Sequence, residues 1–108
     1  MAKKINLNDY LGHSMDCTCG KEHKTNLKIV DIDKDAVSRL PKHIEALGYK
    51  KPFLVADVNT WAAAGALVAE KLDVAGISYK KYIFNEKELI PDEKTLGSLM
   101  MAFSRDCD

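Results

Sequence analysis

The chain alternates short apolar runs with helical stretches three times, and this alternation restricts the folds that are open to it. The predicted strands are residues 27–32, 52–58 and 78–84, and a predicted helix follows each of them. Strands separated by helices of this length pair in parallel through right-handed crossovers. The sequence therefore predicts an α/β fold with the element order β-α-β-α-β-α.

Three strands make a small sheet, and a further parallel strand is expected after the last predicted helix. We interpret residues 27–108 as a partial nucleotide-binding domain, the first half of a three-layer, Rossmann-like parallel sheet. Residues 1–26 are polar without sustained periodicity and are predicted to form a leader segment. Because the missing strand would leave apolar helix surface wet, we expect the chain to be marginally stable, oligomeric or completed by another copy.

The first predicted helix has the clearest periodicity. Its apolar positions recur every three or four residues, as on one buried helical face: Val37, Leu40, Ile44 and Leu47. Asp33 or Asp35 is the expected cap, and Gly48 is expected to end the helix in a left-handed conformation. Pro41 lies inside this stretch. Either the regular helix begins near Leu40 with Pro41 in its first turn, or the helix is kinked.

Composition excludes several classes of function. Sixteen basic and sixteen acidic side chains cancel, so no field of the whole molecule favours nucleic acid or an anionic membrane. The chain has no apolar run of transmembrane length and no secretory signal at its N-terminus, so a cytoplasmic location is expected. Three cysteines without a secretion signal predict reduced thiols rather than a disulfide framework.

Residues 52–65 carry the main candidate for a binding site. A buried strand leads to Asp57, to Asn59 or Thr60 as the expected helix cap, and to a helix start of small residues. Ligands of open parallel sheets lie beyond the carboxyl ends of strands, where an acidic side chain can accept the hydroxyl protons of an adenosine ribose. Its charge would repel a 2′-phosphate, which favours NAD over NADP. The alternative is that Asp57 only caps the helix or holds the turn.

The segment C-T-C-G-K-E-H, residues 17–23, is a second candidate. Two thiolates and an imidazole are able to bind zinc, with His13 or Cys107 as a fourth ligand. The usual structural zinc pattern has two ligand pairs separated by a longer loop, so this motif is incomplete. A turn at Gly20 among small and polar residues is the more common outcome, and no metal ligand is assigned from the sequence.

These motifs together resemble the N-terminal part of sn-glycerol-1-phosphate dehydrogenases, within the iron-containing alcohol dehydrogenase and dehydroquinate synthase-like superfamily. The resemblance rests on C-x-C-G-K-x-H in the leader, V-A-D-x-N-T at the second strand, A-A-G in the following helix, and L-I-P-D-E-K-T-L-G before the last helix. It covers essentially the whole chain. The strand and its Asp alone would also fit a glycerol dehydrogenase of the same superfamily.

The resemblance implies a parent enzyme that reduces dihydroxyacetone phosphate to sn-glycerol 1-phosphate with NADH or NADPH. A divalent zinc, nickel or iron ion would polarise the ketone carbonyl, and Asp57 would bind the adenosine ribose of the cofactor. The parent is expected to be a homo-oligomer that binds neither nucleic acid nor membrane.

The same resemblance places the family's other functional groups outside this chain. Its pyrophosphate-binding glycine motif belongs to the next strand. Its metal ligands, an Asp and two His, belong to a C-terminal helical domain that is absent here, so no catalytic residue is assigned. The 108-residue chain is expected to be inactive by itself and to bind NAD weakly.

Two interpretations from other classes remain beside the enzyme. A small flavodoxin-like binding or regulatory module would need about five strands, whereas three are predicted here. Asp31 and Asp33 near the first strand, with Asp57 after the second, faintly resemble the acidic cluster of a phosphoacceptor. The other interpretation is a metal-dependent interaction module built on the cysteine-containing leader.

Overall fold

The computed structural model describes residues 6–15 and 17–108, and the chain divides into two compact units, Met1–Asp33 and Lys34–Asp108. In the first unit a 3₁₀ turn, Leu7–Tyr10, precedes a small antiparallel hairpin. The hairpin pairs β1 (Ser14–Met15) with β2 (His23–Lys24), and Met15 lies opposite His23. The loop that joins the two strands carries both leader cysteines.

The second unit is α/β, as predicted. Its elements in chain order are α1 (Ala36–Ala46), β3 (Phe53–Asp57), α2 (residues 58–74), β4 (Lys80–Phe84) and α3 (Glu93–Ala102). Strands β3 and β4 pair in parallel, with Phe53 opposite Lys80 and Asp57 opposite Phe84. This is a β-α-β unit with α2 as its crossover. None of the described helices is long and apolar enough to cross a membrane.

The predicted strand over residues 27–32 is wrong. Residues 25–32 have no regular secondary structure, and the side chains of Leu27 and Ile32 are 57% and 79% exposed. A strand requires a neighbour that bonds its N–H and C=O groups, and an apolar run does not supply one. Strands β3 and β4 pair with each other, so the described sheet has two strands, fewer than a flavodoxin-like module needs.

Helix α1 spans the Pro41 position without interruption. It begins at Ala36, five residues before Pro41, so the predicted start near Leu40 is wrong. Because Pro41 has no N–H, the hydrogen bond that residue 41 would donate to the carbonyl of Val37 is lost. Asp35 is at the N-cap position, without a capping hydrogen bond from its side chain. Gly48 ends the turn at φ 79°, as predicted, and such a positive φ favours glycine.

The core of the second unit is small and lies where α2 meets its neighbours. The buried hydrophobic residues are Ala69, Leu72 and Phe84, and the side chain of Leu72 is fully buried. Helix α1 packs against the Ala66–Val74 part of α2, and the beginning of α2 packs against β3. Small side chains along α2 permit this close approach, as predicted from its alanines and glycine.

Helix α3 packs only partly. The ring of Phe103 meets the ring of Phe53 edge to face, with centroids 5.5 Å apart. The apolar stripe of α3 contains Leu96, Leu99 and Met100. Leu99 is half-buried, whereas Leu96 and Met100 are 57% and 68% exposed. An apolar cavity of about 320 Å³ lies beneath this stripe, and its walls are Phe53, Val55, Leu99, Met100 and Phe103. The expectation that apolar helix surface stays exposed to solvent is therefore confirmed for α3.

Candidate functional site

The carboxyl ends of the two parallel strands meet at one edge of the sheet. Asp57 is the last residue of β3, and Phe84, the last residue of β4, lies opposite it. Helix α2 begins directly after Asp57, at Val58. The edge therefore combines strand ends with a helix N-terminus, which is the arrangement in which α/β sheets bind nucleotides.

Asp57 itself caps α2. Its Oδ1 accepts hydrogen bonds from the backbone N–H of Thr60, at 2.7 Å, and from the Thr60 hydroxyl, at 2.9 Å. In return, the backbone N–H of Asp57 donates to Thr60 Oγ1 at 2.9 Å, which completes a capping box. The prediction that Asn59 or Thr60 is the cap is wrong, because the N-cap lies two or three residues earlier, at Asp57, which is the residue with extended backbone angles.

Capping keeps the Asp57 carboxylate ionised without using all of its acceptor capacity. The backbone N–H and hydroxyl of Thr60 lower the pKa of Asp57, and partial desolvation only weakly opposes them. A carboxylate has about four lone-pair sites. Both hydrogen bonds from Thr60 go to Oδ1, so they leave the acceptor sites of Oδ2 unused. The capping interpretation is thus confirmed, and a ligand could still donate a hydrogen bond to the same carboxylate.

A groove that was not predicted from the sequence lies beyond the end of β4. Its volume is about 680 Å³, and its walls are Phe84, Pro91, Asp92, Glu93, Thr95, Leu96 and Leu99. Asp92 caps α3, because its Oδ1 accepts from the backbone N–H of Thr95 at 2.9 Å. That hydrogen bond lowers the pKa of Asp92. The groove is large enough for part of a small molecule.

Trp61 is a further residue that the sequence analysis did not single out. It begins the π-helical turn Trp61–Gly65 in α2, and Lys81 of β4 places its Nζ 4.8 Å from the centroid of the indole ring. Gly65 lies beneath the ring: an added Cβ would be 2.6 Å from Cε3 of Trp61. Such π-helical turns are often found at functional sites, and the feature visible in the sequence is a glycine four residues after the tryptophan, which leaves room for the indole ring.

In the first unit, the hairpin loop brings the three leader side chains together. The ligand atoms of Cys17, Cys19 and His23 all lie within 4.8 Å of one another, and Cys19 Sγ is 3.0 Å from His23 Nε2. All three residues are exposed. His13, which the sequence analysis considered as a fourth ligand, is not part of this group, and Cys107 belongs to the second unit.

The catalytic metal that the resemblance implies does not fit these residues. Its expected ligands are one Asp and two His, whereas the group of three possible metal ligands found in residues 6–15 and 17–108 is two Cys and one His. Thiolates and carboxylates suit different metals. The described residues therefore supply no site for a catalytic ion of that kind.

Comparison with known proteins gives two related enzymes. The chain is 33% identical to a glycerol-1-phosphate dehydrogenase (NAD(P)+) of Halalkalibacterium halodurans across 86% of its own length, and 31% identical to one of Bacillus velezensis across 71%. It spans only 24% and 20% of the length of these relatives. No protein-family model matches the chain, and no solved structure matches it significantly. The predicted resemblance to glycerol-1-phosphate dehydrogenases is therefore confirmed.

Proposed function

We propose that this chain forms part of the nucleotide-binding domain of an NAD(P)-dependent oxidoreductase similar to glycerol-1-phosphate dehydrogenase. The observation that carries the proposal is Asp57, an ionised carboxylate at the end of a parallel strand and at the start of the crossover helix. The names of both relatives include NAD(P)+ as the cofactor. In this proposal β3, α2 and β4 are the first part of a three-layer, Rossmann-like sheet.

Asp57 would bind the adenosine ribose of the dinucleotide. The carboxylate accepts hydrogen bonds only, so it pairs with the two ribose hydroxyl groups as donors. Thr60 holds Oδ1 in place, and this fixes the orientation of Oδ2 before the ligand arrives. A 2′-phosphate would bring a second negative charge to the same place, so the site would bind NAD more tightly than NADP.

The remaining functions of the parent are part of the same proposal. The parent would reduce dihydroxyacetone phosphate to sn-glycerol 1-phosphate in the cytoplasm, as a homo-oligomer and with a divalent metal bound by residues outside those described. No residue described here is assigned a catalytic role, so we expect the 108-residue chain to leave NADH unchanged when dihydroxyacetone phosphate is added.

A titration of the chain with NADH tests the role of Asp57. Binding is followed by chemical-shift changes in ¹H–¹⁵N NMR spectra, because the expected affinity is weak. Asp57→Asn keeps a good helix cap but removes the charge. We expect NADH affinity to fall about tenfold, since hydrogen bonds to a charged group contribute more than neutral ones, and we expect the preference for NADH over NADPH to shrink.

Asp106→Asn is the matched control. Asp106 is also an exposed carboxylate with a lowered pKa, but it pairs with Lys51, which precedes β3, so this variant removes an equivalent charge while leaving Asp57 intact. It should bind NADH as the unchanged chain does. An equal loss of affinity in both variants, or none in Asp57→Asn, would contradict the assignment of Asp57 to the ribose.

A further inference from the structure

The hairpin of the first unit places three metal-binding side chains on one short loop. Cys17 and Cys19 lie between the strands, and His23 is the first residue of β2. Gly20, at φ 80°, donates its N–H to the carbonyl of Cys17 at 3.1 Å and so turns the chain back toward β2. The backbone itself therefore brings two thiols and an imidazole together.

The spacing of these ligand atoms is close to what a tetrahedral ion requires. With Zn–S near 2.3 Å and Zn–N near 2.1 Å, tetrahedral angles place two sulfurs about 3.8 Å apart and a sulfur and a nitrogen about 3.6 Å apart. Here all pairs lie within 4.8 Å, and Cys19 Sγ and His23 Nε2 are 3.0 Å apart. Shifts of about 1 Å or less would suffice, which rotation of exposed side chains supplies.

The donor chemistry selects the ion. Two thiolates and one neutral imidazole suit zinc, whereas magnesium and calcium prefer oxygen ligands. All three cysteines of the chain are free thiols. The backbone N–H of Cys19 donates to Cys17 Sγ at 3.5 Å, a contact that orients this sulfur within the loop. Each thiol that binds releases its proton, and two thiolates then neutralise the charge of the divalent ion.

We propose that Cys17, Cys19 and His23 bind one Zn²⁺ ion, with a water molecule as the fourth ligand. Within residues 6–15 and 17–108, no other Cys, His, Asp or Glu joins this group, so the described residues supply three ligands. The ion stabilises the hairpin, whose strands are only two residues long. A hairpin of that size is marginal in water, so the binding free energy of the metal becomes folding free energy.

The test is a metal titration of the purified, reduced chain after removal of bound metal. Co²⁺ is the spectroscopic probe, because thiolate–cobalt coordination gives a charge-transfer band and tetrahedral cobalt gives strong visible bands. We expect one Co²⁺ per chain, displaced by one equivalent of Zn²⁺. Cys17→Ser, Cys19→Ser and His23→Asn should each weaken Zn²⁺ binding about tenfold or more, since even indirect changes around a metal cost that much.

Two variants keep the result interpretable. Cys107→Ser removes the third thiol of the chain and should leave metal binding unchanged. His23→Cys should retain metal binding and strengthen the thiolate band, because cysteine is also a zinc ligand. If this variant binds and His23→Asn does not, His23→Asn has lost a ligand rather than its fold. Absence of tetrahedral cobalt bands, a charge-transfer band that persists when Cys17 and Cys19 are both replaced, or one that vanishes in Cys107→Ser would overturn the proposal.

Discussion

At the scale of single residues, the absence of a side chain at Gly65 allows the indole ring of Trp61 to pack against the backbone of α2. The indole ring lies over the Gly65 backbone, and Lys81 of β4 approaches the ring. A cation this close to an indole ring gains a favourable electrostatic contact. Glycine is therefore required here for close approach, although its backbone angles are ordinary helical ones.

Gly65→Ala should destabilise the second unit. The added Cβ would be 2.6 Å from Trp61 Cε3, so the ring must move. Such overpacking costs about 1–3 kcal/mol, which exceeds the gain of about 1 kcal/mol from replacing glycine in a helix. We expect a net loss of about 1 kcal/mol in the free energy of unfolding, measured by urea denaturation, with a shift in tryptophan emission.

Gly97→Ala is the control for this prediction. Gly97 lies within α3, and no atom is within 4 Å of a Cβ placed there. This variant should gain about 0.5–1 kcal/mol from helix propensity alone. Equal stabilisation by both substitutions would show that the Trp61 contact contributes nothing.

Asp57 shows what the sequence predicted at this scale and what it did not. Its place at the end of a strand follows from the apolar run that precedes it, and the structure agrees. Its capping role was only an alternative, because three neighbouring side chains, Asp57, Asn59 and Thr60, can all cap. The choice depends on which residue keeps extended backbone angles, and these are set by the packing of β3 against α2.

At the scale of elements, helices were predicted well where apolar side chains recur at helical spacing. The predicted strand was wrong where its formation depends on pairing with a neighbouring strand. Helix α1 covers the predicted apolar positions and ends at Gly48 because apolar spacing and the glycine agree, although it begins four residues before Leu40. The apolar run 27–32 carries the same kind of signal as β3. It is not a strand, because strand formation depends on a partner that the run itself does not reveal.

The chain segment after α3 is joined to the segment before β3. The carboxylate of Asp108 accepts hydrogen bonds from the backbone N–H groups of Lys50 and Lys51, and the N–H of Asp108 donates to the carbonyl of Lys51 at 3.0 Å. Nothing in the sequence predicted this contact, since it joins positions more than fifty residues apart. These hydrogen bonds hold the segment after α3 against the residues that precede β3.

Asp108→Ala should therefore lower the midpoint of thermal unfolding by a few degrees, because it leaves two backbone N–H groups without their charged acceptor. Circular dichroism measures the change. Asp106→Ala is the matched control, since it removes an exposed ion pair with Lys51, and exposed pairs contribute little. A larger effect of Asp106→Ala than of Asp108→Ala would contradict this ranking.

At the scale of the whole molecule, the described residues bury little apolar surface. Few of their apolar side chains are fully buried, whereas Ile32, Val74 and Met101 are about 80% exposed or more. Stability in a domain of this size is a small difference between large terms. Polar contacts at helix starts and between distant segments therefore contribute more to the stability of this chain than they would in a domain with a full hydrophobic core.

The stability of the chain should consequently fall in acid. Hydrogen bonds from backbone N–H groups lower the pKa values of Asp57, Asp92 and Asp108. Lys51 lowers the pKa of Asp106 to about 2, but this ion pair is exposed and contributes less to stability. In the unfolded chain these carboxyl groups would titrate near pH 3.9. Because the folded pKa values are lower, the stabilisation is complete above that pH and is lost as the pH falls through the folded values.

Unfolding midpoints in urea, measured at steps from pH 7 to pH 2, test this expectation. We expect a plateau at neutral pH and a decline that begins near pH 4 and continues toward pH 2. The double variant Asp57→Asn, Asp92→Asn is the control, since asparagine caps helices about as well as aspartate but does not titrate in this range. Its decline should be shallower. A decline of the same steepness in the variant would mean that the two helix caps do not cause the acid sensitivity.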